Sequence, residues 1–253
     1  MINLDILQFL ENDDIQLNLP LLIMTIIIAF IIHYLKFLPI ISTINRLFGF
    51  IPTLIHELGH AIVCSLTFGK VTDIHIMLTQ YGENKNSASG YTEMNLRFWF
   101  SKVLTSFAGY VFPSFMILIG IYSLTHNYII VYCLFLILLF IYYFIKTKQK
   151  LLTFTILLII GIIIYNVLGT HEEKILYISM VVINVYFGLM IAAMLTSIIT
   201  RTILTFKEKN DSWDGSQLKN LTLLPQFVWY TLWLVIDIII IYYIFNWLGV
   251  IIG

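Results

Sequence analysis

The feature that most constrains this chain is its succession of long apolar runs. Residues 20–37, 50–68, 101–124, 127–145, 150–168, 174–199 and 225–249 are dense in Ile, Leu, Phe and Val and nearly free of charge. About 20 apolar residues in a helix span the roughly 30 Å hydrocarbon core of a bilayer. Within lipid, a helix satisfies every backbone N–H and C=O inside one segment, so each run is expected to be helical. Only 11% of the residues are charged, against about 25% in a soluble domain, which is too few to coat a soluble surface. The expected fold class is therefore an all-α polytopic membrane protein with about seven transmembrane helices. Residues 20–253 read as one domain behind a lead-in at 1–19. That lead-in carries Asp5, Glu11, Asp13 and Asp14 and no Lys or Arg, unlike the positive start of a secretory leader.

Charge then orients the spans. With the N-terminus inside, eleven of the fourteen Lys and Arg residues fall on inside segments, as the positive-inside rule favours. The C-terminus is then expected outside. The formal net charge is zero, and nothing suggests nucleic-acid binding. Cys64 and Cys133 both lie in apolar stretches and read as small buried hydrophobes. Thr125-His126-Asn127 is a link so short that the third and fourth spans should form a helical hairpin. Two connections are longer. In the loop 70–100, Val71 to Met77 alternates like a strand and is followed by the polar cluster Gly82–Ser87 and a second short run near Tyr91-Thr92-Glu93, which predicts a small β-hairpin. Residues 200–223 read as a polar loop.

One chemical motif stands inside the second span: His56-Glu57-Leu58-Gly59-His60. Residues four apart on a helix share a face one turn apart, so both imidazoles can hold one Zn²⁺ at about 2.0–2.1 Å. Glu57 can then serve as general base toward an attacking water. His and Glu are costly at membrane depth and usually functional there. Catalytic zinc commonly takes three protein ligands, and the preferred third is Asp214, in Trp213-Asp214-Gly215; Asp211, Asp237, His75 and His171 are the alternatives. His75, on the expected hairpin, could instead line the substrate entry. His126 and His171 fall in short loops on the other side.

The stretch His56-Glu57-Leu58-Gly59-His60-Ala61, followed by Gly69-Lys70-Val71, resembles the site-2-protease superfamily of intramembrane zinc metalloproteases, and more closely its small bacterial M50B-like branch. Ser87-Ala88-Ser89-Gly90-Tyr91, Ala108-Gly109-Tyr110 with Pro113, and Asp214, Leu218, Pro225, Trp229 and Trp233 extend the likeness over about residues 50–235. The resemblance implies a bacterial cytoplasmic membrane, Zn²⁺ as cofactor, a membrane-embedded polypeptide as substrate, His56, His60 and Asp214 as ligands, and Glu57 as base. Two positions depart from the pattern. The site-2-protease Ala-Gly-Pro-x-x-Asn reads Ala108-Gly109-Tyr110-Val111-Phe112-Pro113 here, without the Asn, and Asp214 lacks an Asn-Pro lead-in. Tyr110 or Ser114 is the expected substitute donor to the substrate oxygen. A non-catalytic membrane scaffold that keeps the protease fold is the second expectation.

Overall fold

In a computed structural model, residues 16–77, 90–169, 173–207 and 213–249 are described. Asn18 starts the first helix, α1 (Leu19–Tyr34): its side-chain oxygen accepts from the Leu21 amide at 3.0 Å, and Pro20 occupies the first turn, where a missing N–H does no harm. The helix stops where Lys36–Leu38 leads into Pro39. Pro39 opens the motif helix, α2 (Pro39–Leu66). It begins eleven residues earlier than the apolar run at 50–68 suggested, because Asn45 and Arg46 ride on one helical face without breaking the backbone. After α2 come two strands, β1 (Lys70–Ile76) and β2 (Gly90–Asn95), paired antiparallel with His75 opposite Tyr91 and Ile76 opposite Gly90. The expected hairpin is thus present. Its turn cluster Gly82–Ser87 lies outside the described residues, as do most of the 1–19 lead-in, His171 and Asp211.

The remaining helices are α3 (Trp99–Thr125), α4 (Ile129–Lys146), α5 (Lys150–Gly169), α6 (Glu173–Phe206), α7 (Asp214–Thr222) and α8 (Gln226–Trp247). The α3–α4 link is as tight as its length implied, with Asn127 in the left-handed region at φ 65°, a conformation Asn tolerates. Five helices, α2, α3, α4, α6 and α8, are long and apolar enough to cross a membrane. The expected number of seven is not reached on that criterion. α1 has 16 residues, about 24 Å at 1.5 Å per residue, because Pro39 cuts its run. The apolar stretch of α5 described, Lys150–Ile162, is shorter still.

The expected loop at 200–223 is corrected too. α6 continues to Phe206, and Asp214–Thr222 forms the short helix α7. Polar, short segments give no apolar periodicity to read; α7 is held by packing. Trp99 Nε1 donates to the Leu221 carbonyl at 2.6 Å, Gln226 Nε2 to Ser216 Oγ at 2.9 Å, and Trp213, Leu218 and Trp233 form a small buried cluster beneath it.

The larger core lies among α2, α3, α4, α6 and α8, with Leu54, Ile55, Leu58, Ile121 and Phe187 fully buried. Outward faces carry exposed Ile23, Ile27, Leu138, Ile141, Ile238 and Ile239, an apolar exterior suited to lipid. The hairpin is clamped against the α4–α5 junction. Thr147 Oγ1 donates to the Ile74 carbonyl at 2.7 Å, and the Gln149 amide bonds both the N–H and the C=O of Ile76 at 3.0 Å. Gln149 thereby acts as a partner strand would, closing the outer edge of β1.

Candidate metal centre

α2 and α3 cross unusually closely at the motif. A Cβ on Gly59 would lie 2.6 Å from Phe112 Cβ and 2.9 Å from the Ala108 carbonyl. A Cβ on Gly109 would overlap the His60 imidazole. The two glycines therefore let the backbone of α3 act as a wall for the motif, as small residues do in membrane helix contacts. The wall does chemical work: the Thr105 carbonyl accepts from His60 Nδ1 at 2.7 Å. A carbonyl can only accept, so Nδ1 carries a proton and Nε2 is the nitrogen turned toward Asp214. This is the second-shell arrangement that orients a metal-binding imidazole.

Asp214 arrives from the first turn of α7, where a carboxylate is favoured by the helix dipole. Its Oδ2 lies 3.4 Å from His56 Nε2 and 3.4 Å from His60 Nε2, and the two Nε2 atoms are 3.1 Å apart. Ligands at about 2.0–2.1 Å in a tetrahedron are separated by roughly 3.3 Å, so these three atoms stand at the corners a zinc ion requires. The donor set, two imidazole nitrogens and one carboxylate oxygen, is also a zinc set. Among the described residues, His56, His60 and Asp214 are the one group of three such side chains able to hold a metal ion. Burial alone would raise the Asp214 carboxyl pKa. The imidazoles of His60 and His56, when protonated, outweigh that and hold it below the ordinary carboxylate range.

Glu57 is buried beside this group, and Thr92 on β2 donates to its Oε2 at 2.7 Å. The other oxygen, Oε1, accepts nothing among the described residues. A cavity of about 400 Å³ opens onto this point, lined by His56, Glu57, Tyr110, Ser114 and Arg201 and reaching Arg46.

The remaining sequence candidates separate. Tyr110 sets its ring edge-on to His56, centroids 4.7 Å apart, and its hydroxyl has no hydrogen bond among the described residues. Ser114 lines the same cavity, but its hydroxyl donates to Asp237 Oδ1 at 2.6 Å. Asp237 is not part of that group; it pairs with Arg201 in the interior. His75 stacks on Tyr91, centroids 5.2 Å apart, and joins neither the ligands nor the cavity lining. His126 stacks on Tyr122 at the end of α3. Sequence reasoning missed Thr92, the Thr105 carbonyl and Arg201. A β-strand hydroxyl and a main-chain oxygen leave no motif. Arg201 falls within the run 200–223 expected as a polar loop, whereas it is 2% exposed.

Helices of membrane-crossing length that bring a His-Glu-x-x-His motif and a converging carboxylate together define the class of membrane-embedded peptidases of metal type. The chain matches the family model described as Peptidase M50B-like over residues 21–244, and it belongs to that family, within the site-2 proteases. No curated protein and no solved structure matches it. The chain is thus a membrane protein of a peptidase family.

Proposed function

We propose that this protein is an intramembrane zinc endopeptidase of a bacterial cytoplasmic membrane, with its N-terminus inside and its C-terminus outside, cutting a membrane-embedded polypeptide. The observation that carries the reading is the spacing of the three ligand atoms, 3.1–3.4 Å, with the half-bonded carboxylate of Glu57 beside them.

His56, His60 and Asp214 would hold the ion. Bound there, zinc supplies Lewis acidity, polarising a peptide carbonyl and lowering the pKa of a water to about 7. The protein's own groups do the rest. Glu57 takes a proton from the attacking water at Oε1 while Thr92 holds Oε2. Oxygen adds to the carbonyl carbon and the C–N bond breaks. Glu57 returns the proton to the leaving amine, so the base is regenerated. The free hydroxyl of Tyr110 donates to the carbonyl oxygen as charge develops on it, filling the place of the absent Asn. The substrate enters unwound. β1 is closed on its outer side by Gln149, whereas β2, which carries Thr92, has no second backbone partner among the described residues, and its Gly90 lines the cavity.

The test is zinc content and peptide cleavage by detergent-purified protein. About one zinc per chain, with cleavage by wild type and none by Glu57→Gln, supports the reading. Protein that carries no zinc after chelator-free purification sinks it.

A further inference from the structure

Beyond the metal ligands, the interior holds a second charged cluster that the chemistry above does not use. Arg201 on α6 and Asp237 on α8 pair through Nη2 and Oδ2, each side chain 2% exposed. Ser114 on α3 donates to the other carboxylate oxygen at 2.6 Å, and Arg201 Nε reaches the Ser197 carbonyl at 3.3 Å. Three helices are tied at one point. As a source of stability such a pair is weak, because apolar side chains of similar volume often do as well.

Its geometry points elsewhere. The guanidinium carbon sits 4.9 Å from the centre of the Tyr110 ring. Tyr110 in turn meets His56 edge-on at 4.7 Å and Trp233 at 4.9 Å. The ring is held between a metal ligand, an indole and a cation, and the cation is fixed by Asp237. A cation over an aromatic face is attracted to it by the ring quadrupole; it also draws electron density from the ring, making the O–H a better donor. Arg201 lines the cavity, but its remaining nitrogen, Nη1, is buried and has no hydrogen-bond partner among the described residues.

We propose that Arg201 is a positioning residue, which, anchored by Asp237 and Ser114, fixes the Tyr110 ring so that its hydroxyl can donate to the oxygen of the bond being cut. This rests on the zinc-peptidase reading and adds to it. Arg201→Ala alone would bury an unpaired carboxylate and risk misfolding, so the informative variant is the double change Arg201→Gln with Asp237→Asn, which removes both charges and leaves an acceptor for Ser114.

The experiment compares wild type, Arg201→Lys, the double variant, Tyr110→Phe and the triple combination. It uses the full chain in detergent and whichever fluorogenic membrane-segment peptide wild type cuts and Glu57→Gln does not. The expected result is a kcat lowered on the order of 10- to 100-fold in the double variant, as for a misplaced catalytic group, with KM within about twofold and zinc content unchanged. Arg201→Lys keeps the charge but not the planar stack and falls between. On the Tyr110→Phe background the double change costs nothing more. A readout independent of turnover is the ¹⁹F spectrum of 3-fluorotyrosine at position 110 in metal-free protein: one sharp line in wild type, shifted or broadened in the double variant. Wild-type kcat with an unchanged line overturns the proposal. So does loss of zinc in the double variant, or an equal loss of kcat on the Tyr110→Phe background. If no peptide is cut in a Glu57-dependent way, the peptidase reading fails instead, and the fluorine line still decides whether Arg201 holds the ring.

Discussion

Asp214 and Asp237 are acids in the same protein interior with opposite neighbours. Asp237 faces a guanidinium and a hydroxyl, a permanent cation and a donor that complete its hydrogen bonding. Asp214 faces two imidazole nitrogens, one of them on a ring held through its other nitrogen by the Thr105 carbonyl. The first cluster is electrically closed. The second gathers two imidazole nitrogens and a carboxylate oxygen around one point, a donor set that suits a metal ion. Burial and motif spacing do not distinguish the two residues; their partners do. Both were open as third ligands from sequence, and the difference lies in contacts 36 residues apart along the chain for Arg201–Asp237 and more than 150 for His60–Asp214.

The largest effect should come where binding and chemistry part. Glu57→Gln keeps the ligand set and loses the base. We expect cleavage to fall by at least about 10²- to 10⁴-fold, the usual range for a general base, with zinc still bound at one per chain by elemental analysis. Next, Asp214→Ala should weaken zinc by more than about 100-fold, beyond what losing an outer-shell partner costs, read by competition with a chromogenic chelator. Added zinc should then raise the melting temperature of wild type and not of this variant. Asp237→Asn should leave zinc affinity unchanged. If the two aspartates exchange these behaviours, the contrast between an open and a closed cluster is broken.

The closed cluster makes its own demand. Asp237→Ala strands a buried guanidinium and should destabilise the fold by about 3–5 kcal/mol, seen as a lower unfolding midpoint with zinc affinity kept until unfolding. Replacing both partners by apolar residues should recover most of that loss, since the penalty is the unpaired charge and not the missing attraction.

What the sequence made legible follows the same division. Apolar runs and a four-residue spacing are local, so the helices, the hairpin after α2 and the His56–His60 face could be read directly. The carboxylate at 214 was the preferred one of several candidates, to which the resemblance added, and its geometry came only with the fold. α7 has too few apolar residues to announce a helix, and α2 began early because Asn45 and Arg46 interrupt hydropathy without interrupting the backbone. Arg201 stands within the run 200–223, and nothing near it in sequence reveals Asp237 or Tyr110. A buried ion pair is visible only when both partners are placed.

Glu57 lies between the two aspartates in kind, and this gives the smallest effect we predict. Its Oε2 is bonded by Thr92 at 2.7 Å and its backbone carbonyl by the same hydroxyl at 3.2 Å, while Oε1 accepts nothing among the described residues. A carboxylate bonded on both oxygens, like Asp237, is a poor base; one left unbonded can rotate away from the water it must deprotonate. Thr92→Val keeps the shape of the side chain and removes the donor. A hydrogen bond to a charged group contributes about 1.5–3 kcal/mol, but water in the cavity can replace part of it. We therefore expect kcat to fall only about tenfold, with zinc content and melting unchanged, and Thr92→Ser to restore most of it. Full activity in Thr92→Val would mean that the α2 backbone alone aims Glu57, and that the hairpin serves the substrate rather than the base.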